Sequence, residues 1–160
     1  DATSVEVERA LAASGATLLV ETLDRLDAGD AVPEIPQDDR LATYAAKIVR
    51  ADGAIDWSAP ARDIHNLVRG LHPWPHAFTH LAGERVLIHR TAVHREDSVG
   101  LSVPGRVVAS STEGIDVATG RGVLRILEIQ PEGKRVMPVR DWLAGRRTAP
   151  SAFGEPAGPA

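Results

Sequence analysis

Cysteine is missing from these 160 residues, so neither a disulfide framework nor thiolate chemistry can be built from them. No stretch approaches the ~20 consecutive apolar residues that a membrane-crossing helix needs. No segment has the basic-then-apolar pattern of a secretory leader. These absences favour the cytoplasm, which is the expected location, with no membrane partner. Asparagine occurs once, at Asn66, inside an apolar helical pattern where it is unsuited to polarise a carbonyl. The first residue is Asp1 rather than Met, and the opening is expected to be the interior of something longer.

What is present is an ordinary globular composition. A chain of this length reads as one domain, or one domain with an appendage, burying roughly 70% of its unfolded surface. The formal charge of −4 is unevenly divided: residues 1–43 hold three basic and ten acidic groups, and residues 44–148 hold fifteen and eleven. The second part is therefore mildly basic, which permits contact with nucleic acid without requiring it.

Residues 47–79 organise the rest. Ser58 is placed to cap a helix, and Pro60 stands where a missing N–H costs nothing. Ile64, Leu67, Val68 and Leu71 then recur at i, i+3, i+4, i+7, an apolar helical stripe. Pro73 ends the helix, and Trp74 is expected to cover one end of the core. Upstream, Thr3 and Glu6 form a capping box. They open a helix whose Leu11, Leu18, Leu19, Leu23 and Leu26 share a face, and Gly29 stops it. Nothing nearby in sequence can bury those leucines. Residues 31–43, with Pro33 and Pro36, read as an extended linker, and residues 44–56 as an extended approach to the helix.

Past Pro75 the period becomes that of strands: 77–81 and 85–93 around a short turn, a loop over 95–104, then 105–109, 115–119 and 123–130 between glycine-marked turns. Both faces of 123–129 are partly apolar, so its buried face stays open. Five short strands with one helix among them indicate a mainly β chain with α, an OB-like five-stranded barrel with one inserted helix, after the long N-terminal helix and linker. Thr148 onward, rich in Pro, Ala and Gly, reads as a disordered tail.

Three motifs in order carry a family likeness. Ile55-Asp56-Trp57 with Asn66-Leu67-Val68-Arg69-Gly70 and Pro73-Trp74-Pro75 is the first. Ile129-Gln130-Pro131-Glu132-Gly133-Lys134-Arg135-Val136-Met137 is the second, and Asp141-Trp142-Leu143-Ala144-Gly145 the third. Over roughly residues 37–147 the chain resembles the C-terminal domain of the methionyl-tRNA formyltransferase family. His76 stands where the family often has Gly. The resemblance implies an OB-like tRNA-contacting domain at 44–147, with residues 1–30 as the last helix of a catalytic domain otherwise absent. It also implies the reaction of the parent enzyme: formyl transfer from 10-formyltetrahydrofolate to initiator methionyl-tRNA. The transfer residues of the family, an Asn, the His of an H-x-S-L-L-P segment and an Asp, have no counterpart here. No catalytic residue and no bound cofactor are expected in this chain, and it is expected to be a monomer.

The candidates for tRNA contact are Lys47, Arg50, Arg69, Lys134 and Arg135, long cations of the kind that reach phosphates without reading bases. Arg62 falls on the same side of the helix as Arg69. Each could equally be a solvated charge or an arginine bound to a carboxylate. No metal site is expected: His72, His76 and His80 have helical spacing, but Pro73 and Pro75 forbid that helix, and His89 and His94 read as solvent-facing. Two alternatives remain open at this stage. One is a free-standing OB-type nucleic-acid-binding module; the other is the C-terminal domain of another folate-dependent formyltransferase or hydrolase.

Overall fold

The computed structural model describes residues 1–96 and 102–154. Helix α1, Ser4–Asp27, starts at the expected capping box, with Thr3 and Glu6 bonding each other's backbone. It buries no residue, and Leu11, Leu18, Leu19, Leu23 and Leu26 are all more than half exposed. An exposed leucine face is unstable against association, as the sequence implied. The chain then runs extended through single 3₁₀ turns at Asp39–Leu41 and Arg50–Gly53.

Helix α2, Ala61–Gly70, presents Ile64 and Val68 to the core, while Leu67 is only half-buried. Six antiparallel strands follow: β1 Ala77–Leu81, β2 Glu84–Arg95, β3 Val107–Ser111, β4 Gly114–Ala118, β5 Val123–Pro131 and β6 Met137–Pro138, with α3, Val139–Ala144, after them. The sheet order is β1-β2-β5-β4-β3, with β6 on β5. β1 and β2 join through Ala82 and Gly83, both at positive φ, as a two-residue primed turn demands. The loop expected at 95–104 lies partly outside the described residues; its first residue instead ends β2.

Two irregularities explain why alternation could not be read. Ile88 pairs with Ile129 and Arg90 with Glu128, so His89 is an extra residue on β2. Thr91 then pairs with Ile126, so Leu127 is extra on β5. This second bulge moves the inward face of β5 from Leu124 and Ile126 to Ile129, all three fully buried.

Three expectations are corrected. Ser58 does not cap α2: its N–H and hydroxyl both donate to Asp56 Oδ1 (2.9 and 2.6 Å). The first amide of the helix, that of Ala61, donates instead to the Arg121 carbonyl (2.9 Å). Trp74 is 54% exposed, and it is Trp57 that enters the core, its indole N–H donating to Thr79 Oγ1 (3.0 Å). Residues 148–154 do not form a loose tail either. Val107 N–H donates to the Ser151 carbonyl (2.9 Å), Phe153 N–H to Gly105 (2.8 Å), and Gly154 N–H to His80 (2.9 Å). This strap links the two edges of the sheet, and Phe153, fully buried, packs on Trp57 with ring centroids 5.9 Å apart. Residues 155–160 lie outside the described part.

Candidate nucleic-acid interface

The five expected contact residues fall into three groups. Lys47 and Arg50 are exposed on the approach to α2. Asp52 fixes the turn there by accepting the Val49 N–H (2.8 Å), and Ala54 bridges to Phe78 of β1. Buried Gly53 lies against the His76 carbonyl with no room for a Cβ. The turn that carries Arg50 is thereby held beside the edge strand, with Lys47 on the extended chain just before it.

Lys134 and Arg135 form the second group. They leave β5 through a turn in which Lys134 N–H donates to Pro131 O (3.0 Å) and Gly133 takes φ +68°. Gln130 Nε2 donates to the Lys134 carbonyl (2.8 Å), which locks the turn while both side chains stay exposed. Lys134 lines a groove with Glu84, Met137, Asp141, Trp142 and Arg146. The Arg146 guanidinium lies over the Trp142 ring at 4.1 Å, a cation–π contact.

Arg69 differs. Its Nε donates to Asn66 Oδ1 (3.0 Å) and its Nη1 to the Ala2 carbonyl (2.8 Å), so the half-buried guanidinium is committed within the chain. Arg62 is paired with Glu96. Among the described residues, Lys47, Arg50, Lys134 and Arg135 enter no ion pair. Nothing brings them into contact with Arg69.

Two basic residues were missed by sequence reasoning. Arg85 is the second residue of β2; its guanidinium lies 3.9 Å from the Phe78 ring centroid, and its Nε is buried without a partner. Arg146 is the other. A dibasic pair after Gly145 was the available signal for Arg146; Arg85 gave none, because its exposure depends on register. Arg125, by contrast, is committed to carboxylates within the sheet. It donates from Nε and Nη2 to the two oxygens of buried Asp116 (2.7 and 2.8 Å), its cross-strand partner, and this bonding holds the guanidinium charged.

His65 is buried on α2, its Nδ1 2.9 Å from Thr91 Oγ1 and its Nε2 3.3 Å from the exposed Asp1 carboxylate. Burial lowers its pKa from the ordinary 6.5, and the charges of Arg69, Arg62 and the N-terminus push the same way. The unfolded chain therefore takes up the proton first as pH falls. The contribution of His65 to stability is complete above the ordinary value and is lost on acidification below it. The urea midpoint is expected to drop between about pH 7 and about pH 5, and His65→Gln to flatten part of that drop. An equally steep profile in the variant would assign the effect to other groups.

The histidines are not separate surface residues. His76 stacks obliquely on both His72 and His89, whereas His80 lies edge-on to Phe78.

With this geometry in place, comparison with known proteins decides the family. Residues 47–147 match the family described as "Formyl transferase, C-terminal domain". The chain belongs to that family. This formyltransferase C-terminal domain is similar to proteins named methionyl-tRNA formyltransferase. It is 43% identical to that of Citrifermentans bemidjiense over 139 residues, 87% of this chain and 42% of that one. Against that of Symbiobacterium thermophilum it is 44% identical over 146 residues, 91% of this chain and 44% of the other. The chain thus spans less than half the length of these relatives. Among solved structures, HypX from Aquifex aeolicus in complex with tetrahydrofolic acid superposes with a TM-score of 0.55 at 21% identity, over 79% of this chain and 22% of that one. At that identity the likeness shows the fold alone.

Proposed function

We propose that the chain is the tRNA-holding C-terminal part of a methionyl-tRNA formyltransferase, whose remaining part transfers formyl from 10-formyltetrahydrofolate to initiator methionyl-tRNA in the cytoplasm. The observation that carries this reading is the 41–44% identity to enzymes of that name over 86–94% of the chain, which reaches upstream of the matched domain.

Physical features support it. Four exposed cations, Lys47, Arg50, Lys134 and Arg135, have no carboxylate partner among the described residues, and Arg85 and Arg146 extend the basic character around the β5–β6 turn. Such side chains bind phosphates without base preference. The bare leucine face of α1 suits the last helix of a catalytic domain, with residues 31–43 as linker, and argues against a free-standing module. The sheet with its strap across both edges is read as the OB-like barrel, running from residue 44 to 154. Arg69 remains a tRNA contact only if binding displaces Ala2.

In isolation, residues 1–160 are expected to bind initiator tRNA weakly and to transfer no formyl group. Titration of labelled tRNA at low salt, beside a formylation assay on charged initiator tRNA, tests both halves. Absence of binding would overturn the holding role, and detectable formylation would overturn the division of labour.

A further inference from the structure

We propose that His72, His76 and His89 form a metal site for a divalent transition ion of the Zn²⁺ type, with three imidazoles as ligands and the fourth position open to solvent. A ligand nitrogen from each of the three lies within 4.8 Å of the other two. The ring centroids are 5.4 Å apart for His72–His76 and 4.4 Å for His76–His89. Zn–N bonds of about 2.0–2.1 Å in a tetrahedron require nitrogens roughly 3.3 Å apart, which small side-chain rotations supply from this starting point.

The ligands come from positions with independent supports. His72 follows the last turn of α2. His76 is anchored by its own N–H, which donates to the Leu71 carbonyl (3.0 Å). His89 is the extra residue of the β2 bulge, and bulges re-aim side chains in this way.

Two further features favour a ligand role over accidental clustering. First, His76 holds φ +65°, the left-handed region that glycine occupies freely and other residues only under strain. A side chain is kept where the backbone favours none. Second, the tautomer of His89 is set. Gln130 Nε2 donates to the Lys134 carbonyl, so Gln130 Oε1 faces His89 Nε2 at 3.0 Å and accepts a hydrogen bond from its N–H. Nδ1 is left with a free lone pair, the arrangement by which an outer partner orients a metal-bound imidazole. An all-imidazole set selects Zn²⁺, Cu²⁺ or Ni²⁺ over Mg²⁺ or Ca²⁺. An ion there would tie the exit of α2 to strand β2.

The test uses tag-free residues 1–160 and zinc chloride, read by calorimetry and by thermal unfolding. The wild type is expected to bind one Zn²⁺ per chain and to melt higher with zinc, but not with magnesium. His76→Gly removes a ligand while suiting the backbone, so it should fold at least as well, weaken zinc more than about 100-fold and lose the thermal shift. Gln130→Ala should weaken zinc about 10–100-fold, the range for outer-sphere partners. Absence of saturable binding to the wild type would overturn the proposal. So would affinity and thermal shift that persist in both His76→Gly and His89→Gln, since the zinc would then sit elsewhere.

Discussion

Gly120→Ala is expected to unfold the domain. The Gly120 N–H donates to the carbonyls of Trp57 (3.0 Å) and Ala59 (3.1 Å), and the next residue, Arg121, accepts the first amide of α2. The β4–β5 turn is thus docked directly on the backbone that delivers Trp57 and α2 to the core. A Cβ at Gly120 would sit inside the van der Waals shell of the Ser58 carbonyl oxygen, and backbone cannot swing aside as a flexible side chain does. Relief requires the two segments to separate. That breaks three hydrogen bonds and withdraws Trp57 from Thr79 and Phe153. The loss should exceed about 4 kcal/mol, in the exceptional range for a single substitution. Gly70→Ala is the control of opposite sign: nothing lies within 4 Å, and alanine in the last turn of α2 should stabilise by up to ~1 kcal/mol. Urea midpoints of the two variants measure both. An unchanged midpoint for Gly120→Ala would mean that the turn is not docked as described.

Phe153→Ala should cost about 3–5 kcal/mol, the range for a buried aromatic ring cut to a methyl. The ring is 3% exposed against Trp57, and the strap bonds of residues 151–154 depend on its seating. Ending the chain at residue 149 should cost at least as much, because it also leaves Gly105 and His80 carbonyls without their donors. A midpoint shift equivalent to less than about 0.5 kcal/mol, as for an ordinary surface change, would return the segment to the solvent.

These two residues show where the sequence was legible and where it was not. Helix α1 could be read from local chemistry alone, because its capping box and Gly29 act within a few residues. The hairpin and the ends of β4 and β5 were likewise marked by Gly83, Gly114 and Gly122, which take positive φ. Phe153 was not readable: proline, alanine and glycine around it resemble solvated chain, and only long-range pairing with Gly105 and His80 gives it a place. The inward face of β5 was hidden by the extra residue at Leu127. His89 met His76 only because a bulge in β2, set by register with β5, turned it there. Among the candidate contacts, Lys134 and Arg135 stood out because the turn motif around them fixes their exposure. The engagement of Arg69 with Ala2 depends on how the N-terminus folds back, which no local pattern encodes.

The proposed holding role is tested most directly by the salt dependence of tRNA binding to residues 1–160, with and without Lys134→Ala and Arg135→Ala together. If these side chains neutralise phosphates, log K falls linearly with log salt at roughly −0.7 to −0.9 per contact. The double variant should then flatten the slope by about one to two units and weaken different tRNAs alike. An unchanged slope and affinity would show that the β5–β6 turn does not touch tRNA, and would contradict the assignment of this surface.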